Sequence, residues 1–159
     1  MPPVNDNRRR LDEADGWGEL GLPQGSRLLE ELRSHAREAQ AHAHAPYSGL
    51  RLGTALLASD GTIHSGCNVE NASFGLTICA ERVAAFSGVG KGGRGFRCGV
   101  LVSSTERPVL PCGACRQVLF ELGDDLRLAC ESRDGTEVRQ VRVADLLPDA
   151  MGAEDLPRP

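Results

Sequence analysis

Aromatic side chains are scarce in this sequence. They make up 4% of its 159 residues, with a single Trp and a single Tyr. A surface that stacks successive bases needs a row of such rings, so a single-stranded nucleic-acid platform is excluded. Excess positive charge is missing as well. The net charge is −4, and the one basic run, Arg8-Arg9-Arg10, is too short for a groove that holds a polyanion. No apolar stretch is long enough to span a membrane. No apolar core follows the N-terminal arginines, so no secretory signal is expected. The glycine-rich run from Gly88 to Gly95 lacks the G-x-x-x-x-G-K-[ST] order of a phosphate loop. There is no internal repeat. The length fits one domain with a substantial core.

Cysteine, by contrast, is plentiful, with six residues. Three of them fall into one pattern. Cys112-Gly113-Ala114-Cys115 follows Pro111. If Pro111 opens a helix, the two sulfurs lie one turn apart on a single face. Cys79 supplies a third sulfur from a separate segment. Three protein ligands leave a tetrahedral zinc one further position, closed by a side chain in structural sites and left to water in catalytic ones. Glu81 lies two residues beyond Cys79 and is a poor fourth ligand in so sulfur-rich a set. A carboxylate beside an open position can instead take a proton from water there and return it elsewhere. One Zn²⁺ per chain, on Cys79, Cys112 and Cys115, with Glu81 as the catalytic acid–base, is therefore expected.

A lone C-x-x-C also marks zinc knuckles and redox pairs. A knuckle needs a second C-x-x-C or an H-x-x-x-H, and the sequence has neither. A redox pair needs neither Cys79 nor Glu81. Thiolate ligands also fit a reducing compartment better than a disulfide framework does, so a cytoplasmic location is expected. Cys67, Cys98 and Cys130 are read as small buried hydrophobes in strands.

In chain order, residues 1–25 have no periodic apolar pattern and read as a flexible tail, with Trp17 the exception that can dock. Residues 26–156 form the expected domain. Ser26 is a candidate N-cap, and Leu28, Leu29, Leu32, Ala36, Ala39 and Ala43 recur at helical spacing until Pro46 forces an end. His35, His42 and His44 have no Cys or carboxylate partner close in sequence and read as surface histidines. Leu52 to Ala58 and Ile63 to Val69 read as paired strands around the Asp60-Gly61 turn. Along the second strand Asn68 and Glu70 share a face, so an amide and a carboxylate can together grip sugar hydroxyls. Helices are expected from Cys79 to about Ser87 and from Pro111 to about Leu122. Strands are expected at Phe96 to Ser103, Leu126 to Glu131 and Val138 to Val143, and a short helix from Ala144 to Leu147. The resulting class is α/β, a sheet covered by helices on both faces.

Three thiolates on Zn²⁺ carry a net charge of −1, so something must draw charge off the sulfurs. Helix N-termini at Cys79 and Cys112 would aim partial positive charge and free N–H groups at them. Arg82, three residues past Cys79, can donate to a thiolate and is assigned to zinc charge tuning.

The landmarks Pro46-Tyr47-Ser48, Gly66 to Ala72, Cys79-Ala80-Glu81-Arg82, Pro111 to Gln117, Leu146-Leu147-Pro148 and Glu154-Asp155-Leu156 run through most of the chain. In these the sequence resembles the small, three-cysteine, homotetrameric cytidine deaminases. The resemblance implies a three-layer α/β/α fold with a mixed five-stranded sheet. It implies Asn68 and Glu70 on the ribose, the Ala80 N–H on the base carbonyl O2, and the Asn71-Ala72 segment near the 5′-hydroxyl in an adjacent subunit. It implies a homotetramer with shared sites and a place in pyrimidine salvage. The pattern departs at Leu50 and Met151, where the family commonly has Phe, and at Phe74, where it commonly has Tyr. All three are expected at the substrate pocket.

The expected activity is hydrolytic deamination of cytidine or deoxycytidine to the uridine form, with a small pyrimidine nucleoside and water as partners, and neither polynucleotide nor membrane. A modified cytosine nucleoside, such as a nucleoside antibiotic, is the alternative that the pocket departures leave open. A structural zinc or nucleic-acid-binding module is the third reading, opposed by the acidic charge and the missing fourth ligand.

Overall fold

The computed structural model describes residues 26–157. Residues 1–25, with Trp17, lie outside that range. Five strands form one sheet in the order β2-β1-β3-β4-β5. They are β1 (Leu52–Leu57), β2 (Ile63–Cys67), β3 (Phe96–Ser103), β4 (Gly123–Glu131) and β5 (Val138–Arg142). β3 and β4 pair parallel; the other neighbours pair antiparallel. Helices α1 (Arg27–Ala41), α2 (Ala80–Gly90) and α3 (Gly113–Leu122) complete the layers.

β1, β3 and the latter part of β4 bury apolar side chains on both faces, and period-two alternation sorts these into two cores. Ala55, Cys98, Val100, Val102 and Ala129 join Leu29, Leu32 and Ala36 of α1. Leu52, Leu56, Leu101, Leu128 and Cys130 join Ala80, Ala84 and Ala85 of α2 and Leu119 of α3. The expected α/β/α sandwich is thus present, and Cys98 and Cys130 are fully buried as read from the sequence. Cys67 is only half-buried, at the end of β2.

The topology fixes where α2 and α3 begin. β2 and β3 are each antiparallel to β1, so they run parallel to each other. α2 joins β2 to β3, and α3 joins β3 to β4. Both are parallel crossovers moving the same way along the sheet, so the right-handed rule lays both helices on one face. Both also start at the same end, beyond the carboxyl ends of their strands. Close packing holds α2 there. A Cβ at Gly66 in β2 would lie 2.5 Å from the Ala84 backbone nitrogen. On the other face, a Cβ at Gly53 would meet the Ala36 carbonyl of α1 at 2.0 Å.

Element boundaries differ from the sequence reading in instructive ways. α1 begins as expected, with the Leu29 N–H donating to Ser26 Oγ at 3.2 Å. It ends at Ala41, ahead of Pro46, with His42 as its cap. α2 runs past Ser87 to Gly90, so part of the glycine-rich run is helical. There Gly88 is needed for contact, since a Cβ would lie 2.7 Å from the Phe96 ring. β2 stops at Cys67, and Val69 pairs instead with Ile78 in an isolated bridge. β4 begins at Gly123, directly off the end of α3.

One charged group sits in the α1 side of the sandwich. Glu131, at the end of β4, is fully buried. Arg33 Nε donates to its two oxygens at 2.8 and 2.9 Å, and Arg37 Nη2 lies 3.6 Å away. Removing one partner of a buried pair strands the other charge. Arg33 keeps 19% of its side chain exposed and can turn to water; Glu131 cannot. Arg33→Met leaves Glu131 only the more distant Arg37 and is expected to cost up to roughly 3–5 kcal/mol, with Glu131→Gln clearly less, as measured by denaturant unfolding.

Candidate active site

Cys79 and Cys112 are the N-cap residues of α2 and α3. Each is extended at φ near −70°, and neither sulfur caps its own helix. The sequence placed these cysteines inside the helices; they stand one step before. The difference matters, because an N-cap side chain projects past the helix start, where the first N–H groups have no intrahelical partner. Cys115, one turn into α3, is fully buried. The three sulfurs lie within 4.8 Å of one another. Cys79 Sγ and Cys112 Sγ are 3.8 Å apart. That is far beyond a disulfide bond. It matches the separation of roughly 3.8 Å that two sulfurs take on a tetrahedral zinc with Zn–S bonds near 2.3 Å. All six cysteines are free thiols. The donor set therefore fits a zinc ion.

Glu81 is 2% exposed, and its Oε2 has no hydrogen-bond partner. Burial, followed by the charge of Cys79, pushes its carboxyl up to about 7. Cys79 moves the other way, down to about 5, through a hydrogen bond from Cys115 and then the Arg82 guanidinium. Cys115 is raised by the hydrogen bond it gives Cys79 and by burial. Arg82 Nη2 donates to the Thr77 carbonyl at 3.4 Å and reaches Cys79 Sγ at 3.9 Å. A guanidinium in that position draws charge from the sulfur and steadies the turn into α2.

The segment before Cys79 is a closed loop. Val69 and Ile78 exchange two backbone hydrogen bonds, 2.9 and 3.0 Å, at its neck. In that antiparallel register Asn68 lies opposite Cys79, and Glu70 opposite Thr77. The sequence-predicted pair therefore flanks the metal segment. Their side chains are already engaged. Asn68 is buried, its Nδ2 donating to the Leu50 carbonyl and its Oδ1 accepting from the Leu52 N–H, both at 2.8 Å. Glu70 accepts from the Tyr47 and Ser48 N–H groups at 2.9 and 3.3 Å and from the Ser48 hydroxyl. Spacing cannot reveal such clamps, because the partners lie 16 to 23 residues away in sequence.

Ala80 is the first residue of α2 and fully buried. Leu50 is half-buried and packs against the α2–α3 core. Ala72 is exposed on the closed loop. Phe74 is 75% exposed, its ring 6.0 Å edge-on from Tyr47. Met151 is 55% exposed and lies in a groove of about 340 Å³ with Phe86, Val118, Leu122 and Leu156. Its carbonyl accepts from Gln117 Nε2 at 2.9 Å. Arg116 and Gln117, which carried no role in the sequence reading, thus join α3 to the C-terminal segment. His35, His42 and His44 contribute to no metal-ligand cluster among the described residues. No described helix is long and apolar enough to cross a membrane.

A three-sulfur cluster at two converging helix starts, with a buried non-ligand carboxyl beside it, defines a zinc-dependent hydrolase site on an α/β/α scaffold. The profile of the cytidine and deoxycytidylate deaminase zinc-binding region matches residues 26–130. A cytidine deaminase of Sporosarcina psychrophila is 43% identical over 128 residues, covering 80% of this chain and 94% of that one. The crystal structure of cytidine deaminase from Burkholderia pseudomallei superposes with a TM-score of 0.72 at 46% identity, covering 77% of this chain and 98% of that one. That from Mycobacterium tuberculosis gives 0.67 at 41%, covering 77% and 96%. The chain belongs to the cytidine and deoxycytidylate deaminase family, and zinc is its cofactor.

The ligand assignment makes a contrast available within one protein. Elemental analysis is expected to find about one zinc per chain. Cys112→Ala should lose it, while Cys98→Ala, altered on the opposite face of the sheet, should retain it.

Proposed function

We propose that this chain hydrolyses cytidine and deoxycytidine to uridine and deoxyuridine, releasing ammonia, and that residues 26–156 carry the whole reaction. The buried Glu81 carboxyl beside the three sulfurs is the observation that carries this reading. Zinc on Cys79, Cys112 and Cys115 supplies Lewis acidity and a site for the attacking water. Glu81 takes the proton of that water as oxygen bonds to C4 of the cytosine ring, and delivers it to N3. It then takes the remaining proton from the new C4 hydroxyl and passes it to the amino nitrogen, the C4–N bond breaks as the C4 carbonyl forms, and ammonia departs. Burial raises the proton affinity of Glu81, and a nearby dication lowers it, so one group can both accept and return protons near neutral pH. The Ala80 N–H, among the unpaired donors at the start of α2, is assigned to the base carbonyl O2.

Asn68 and Glu70 are assigned to the ribose. Each still has hydrogen-bonding capacity after its internal contacts: an amide offers two donors and two lone pairs, a carboxylate about four lone pairs. Their clamps on residues 47–52 would also hold the Leu50 wall in place. Arg82 offsets the thiolate charge. A cytosine nucleoside with a modified base or sugar is the second reading. Leu50 and Met151 favour it, since both stand where the family pattern has an aromatic wall, and an aromatic pair is worth roughly 0.5–1.5 kcal/mol beyond its buried area. Loss of nucleoside absorbance with ammonia release, across a panel of cytosine nucleosides, separates the two. Cytidine and deoxycytidine are expected as the best substrates. Glu81→Gln should keep zinc and fold yet lose activity by about 10²–10⁴ or more; a variant within about ten-fold of the parent removes Glu81 from the mechanism.

The protein is also assigned as a homotetramer with shared sites, acting in the cytoplasm, where thiolate ligands stay reduced. The exposed Phe74, Phe86, Met151 and Leu156 support association, being large apolar groups left to solvent in a single chain. Light scattering is expected to give a tetramer at assay concentration, and an active monomer would refute it.

A further inference from the structure

Cys112 is the ligand with the least around it. Cys115 is fully buried in α3, and Cys79 has the Arg82 guanidinium near its sulfur. The Cys112 side chain is exposed and makes no cap hydrogen bond. Its sulfur is therefore aimed by its backbone. A peptide unit is rigid, so the direction of Cα–Cβ follows from the two planes that flank Cα. Position 116 meets both planes, one through its side chain and the other through its backbone. Arg116 Nε donates to the Pro111 carbonyl, in the plane before Cys112, at 2.8 Å. The Arg116 backbone N–H donates to the Cys112 carbonyl, in the plane after it, at 2.9 Å. Arg116 Nη1 is in turn anchored to the Leu146 carbonyl at 3.0 Å, on the turn after β5.

We propose that the Arg116 side chain is a positioning group for the metal site: its guanidinium pins the Pro111 carbonyl, and with it the peptide plane that enters Cys112, to the Leu146 turn, so that the Cys112 sulfur stays aimed at the zinc. Joining the Pro111 and Leu146 carbonyls needs a planar fork, which an ammonium on a flexible stem does not supply; the helical bond to the Cys112 carbonyl is kept whatever the side chain. The proposal rests on the zinc reading above and adds a residue to it.

The bland alternative is that Arg116 ties the C-terminal segment down and acts on stability alone. Gln117 is the matched control, because its side chain tethers that same segment through its hydrogen bond to the Met151 carbonyl, whereas that of Arg116 also bonds the Pro111 carbonyl. The experiment is zinc release from purified, zinc-loaded protein to a chromogenic chelator, with thermal melting of each variant alongside. Groups that orient metal ligands typically carry 10–100-fold in metal affinity. Arg116→Ala and Arg116→Lys are expected to release zinc at least about ten-fold faster than the parent. Gln117→Ala should release it at the parent rate even where its melting temperature falls. Cobalt-substituted Arg116→Lys should show shifted ligand-field bands, and Gln117→Ala unshifted ones. Release at the parent rate from both Arg116 variants overturns the proposal, as does equal acceleration in Gln117→Ala. If neither Arg116 variant folds with zinc present, Arg116 is a folding residue and the proposal fails. A parent protein without zinc would refute the underlying metal reading instead.

Discussion

Everything at this site depends on two parallel crossovers landing on one face of the sheet. β2 and β3 run parallel because each is antiparallel to β1, and β3 runs parallel to β4. The helices that close these connections must begin beyond the carboxyl ends of their strands. Their starts therefore converge without any interaction between the cysteines themselves. That end of an α/β sheet is where ligands generally bind. Here the convergence brings the two N-cap cysteines to 3.8 Å. Glycine contacts such as Gly66 against Ala84 keep the helices low enough on the sheet for it.

The same geometry addresses the electrostatic problem of the site. Three thiolates would outweigh a single dication. Each helix start offers about half a positive charge and several unpaired N–H donors, and Arg82 adds a full charge. The cation sits on the side of Cys79, whose sulfur is the partly exposed partner of α2. Among the described residues no cation is hydrogen-bonded to the Cys112 sulfur, and there the order comes through the backbone. Two ligands related by topology are thus stabilised by different means, one through charge and one through peptide-plane geometry.

How much of this was legible in the sequence follows from the distance over which each feature is encoded. The C-x-x-C spacing and the C-A-E triplet are local, so spacing alone placed Cys112 beside Cys115 and Glu81 beside Cys79; joining the two segments needed the topology. The two-faced core was legible because strands alternate with helices along the chain and β1 and β3 are largely apolar; the strand order was not read from the sequence. Helix starts were misplaced by one or two residues, because Cys has no cap preference to betray it. The end of α1 was misplaced because Pro46 gives only a latest stopping point. The engagements of Asn68 and Glu70 were illegible, since a clamp on a backbone group 16 or more residues away leaves no pattern in spacing. Alternation put both on one face for a sugar; it could not tell that β2 would end at Cys67 and that both side chains would clamp residues 47–52.

Glu81 shows what such a site costs the fold. A carboxyl that is 2% exposed, with one oxygen unpartnered, opposes folding, as its raised proton affinity shows. Buried polar groups without partners are rare enough to need a reason. Ala80, Ala84 and Ala85, the small residues around it in α2, pack the helix close to the sheet. A neutral apolar residue in its place would suit that environment better. Retaining a group that the surrounding core disfavours makes sense only if the group acts on something the core receives. A proton carrier needs an environment that makes its two forms nearly equal in energy. Burial raises the charged form, and a dication on the neighbouring sulfurs lowers it. The destabilising residue and the metal are therefore complementary: the burial that weakens the fold is what lets the carboxyl return the proton it has taken.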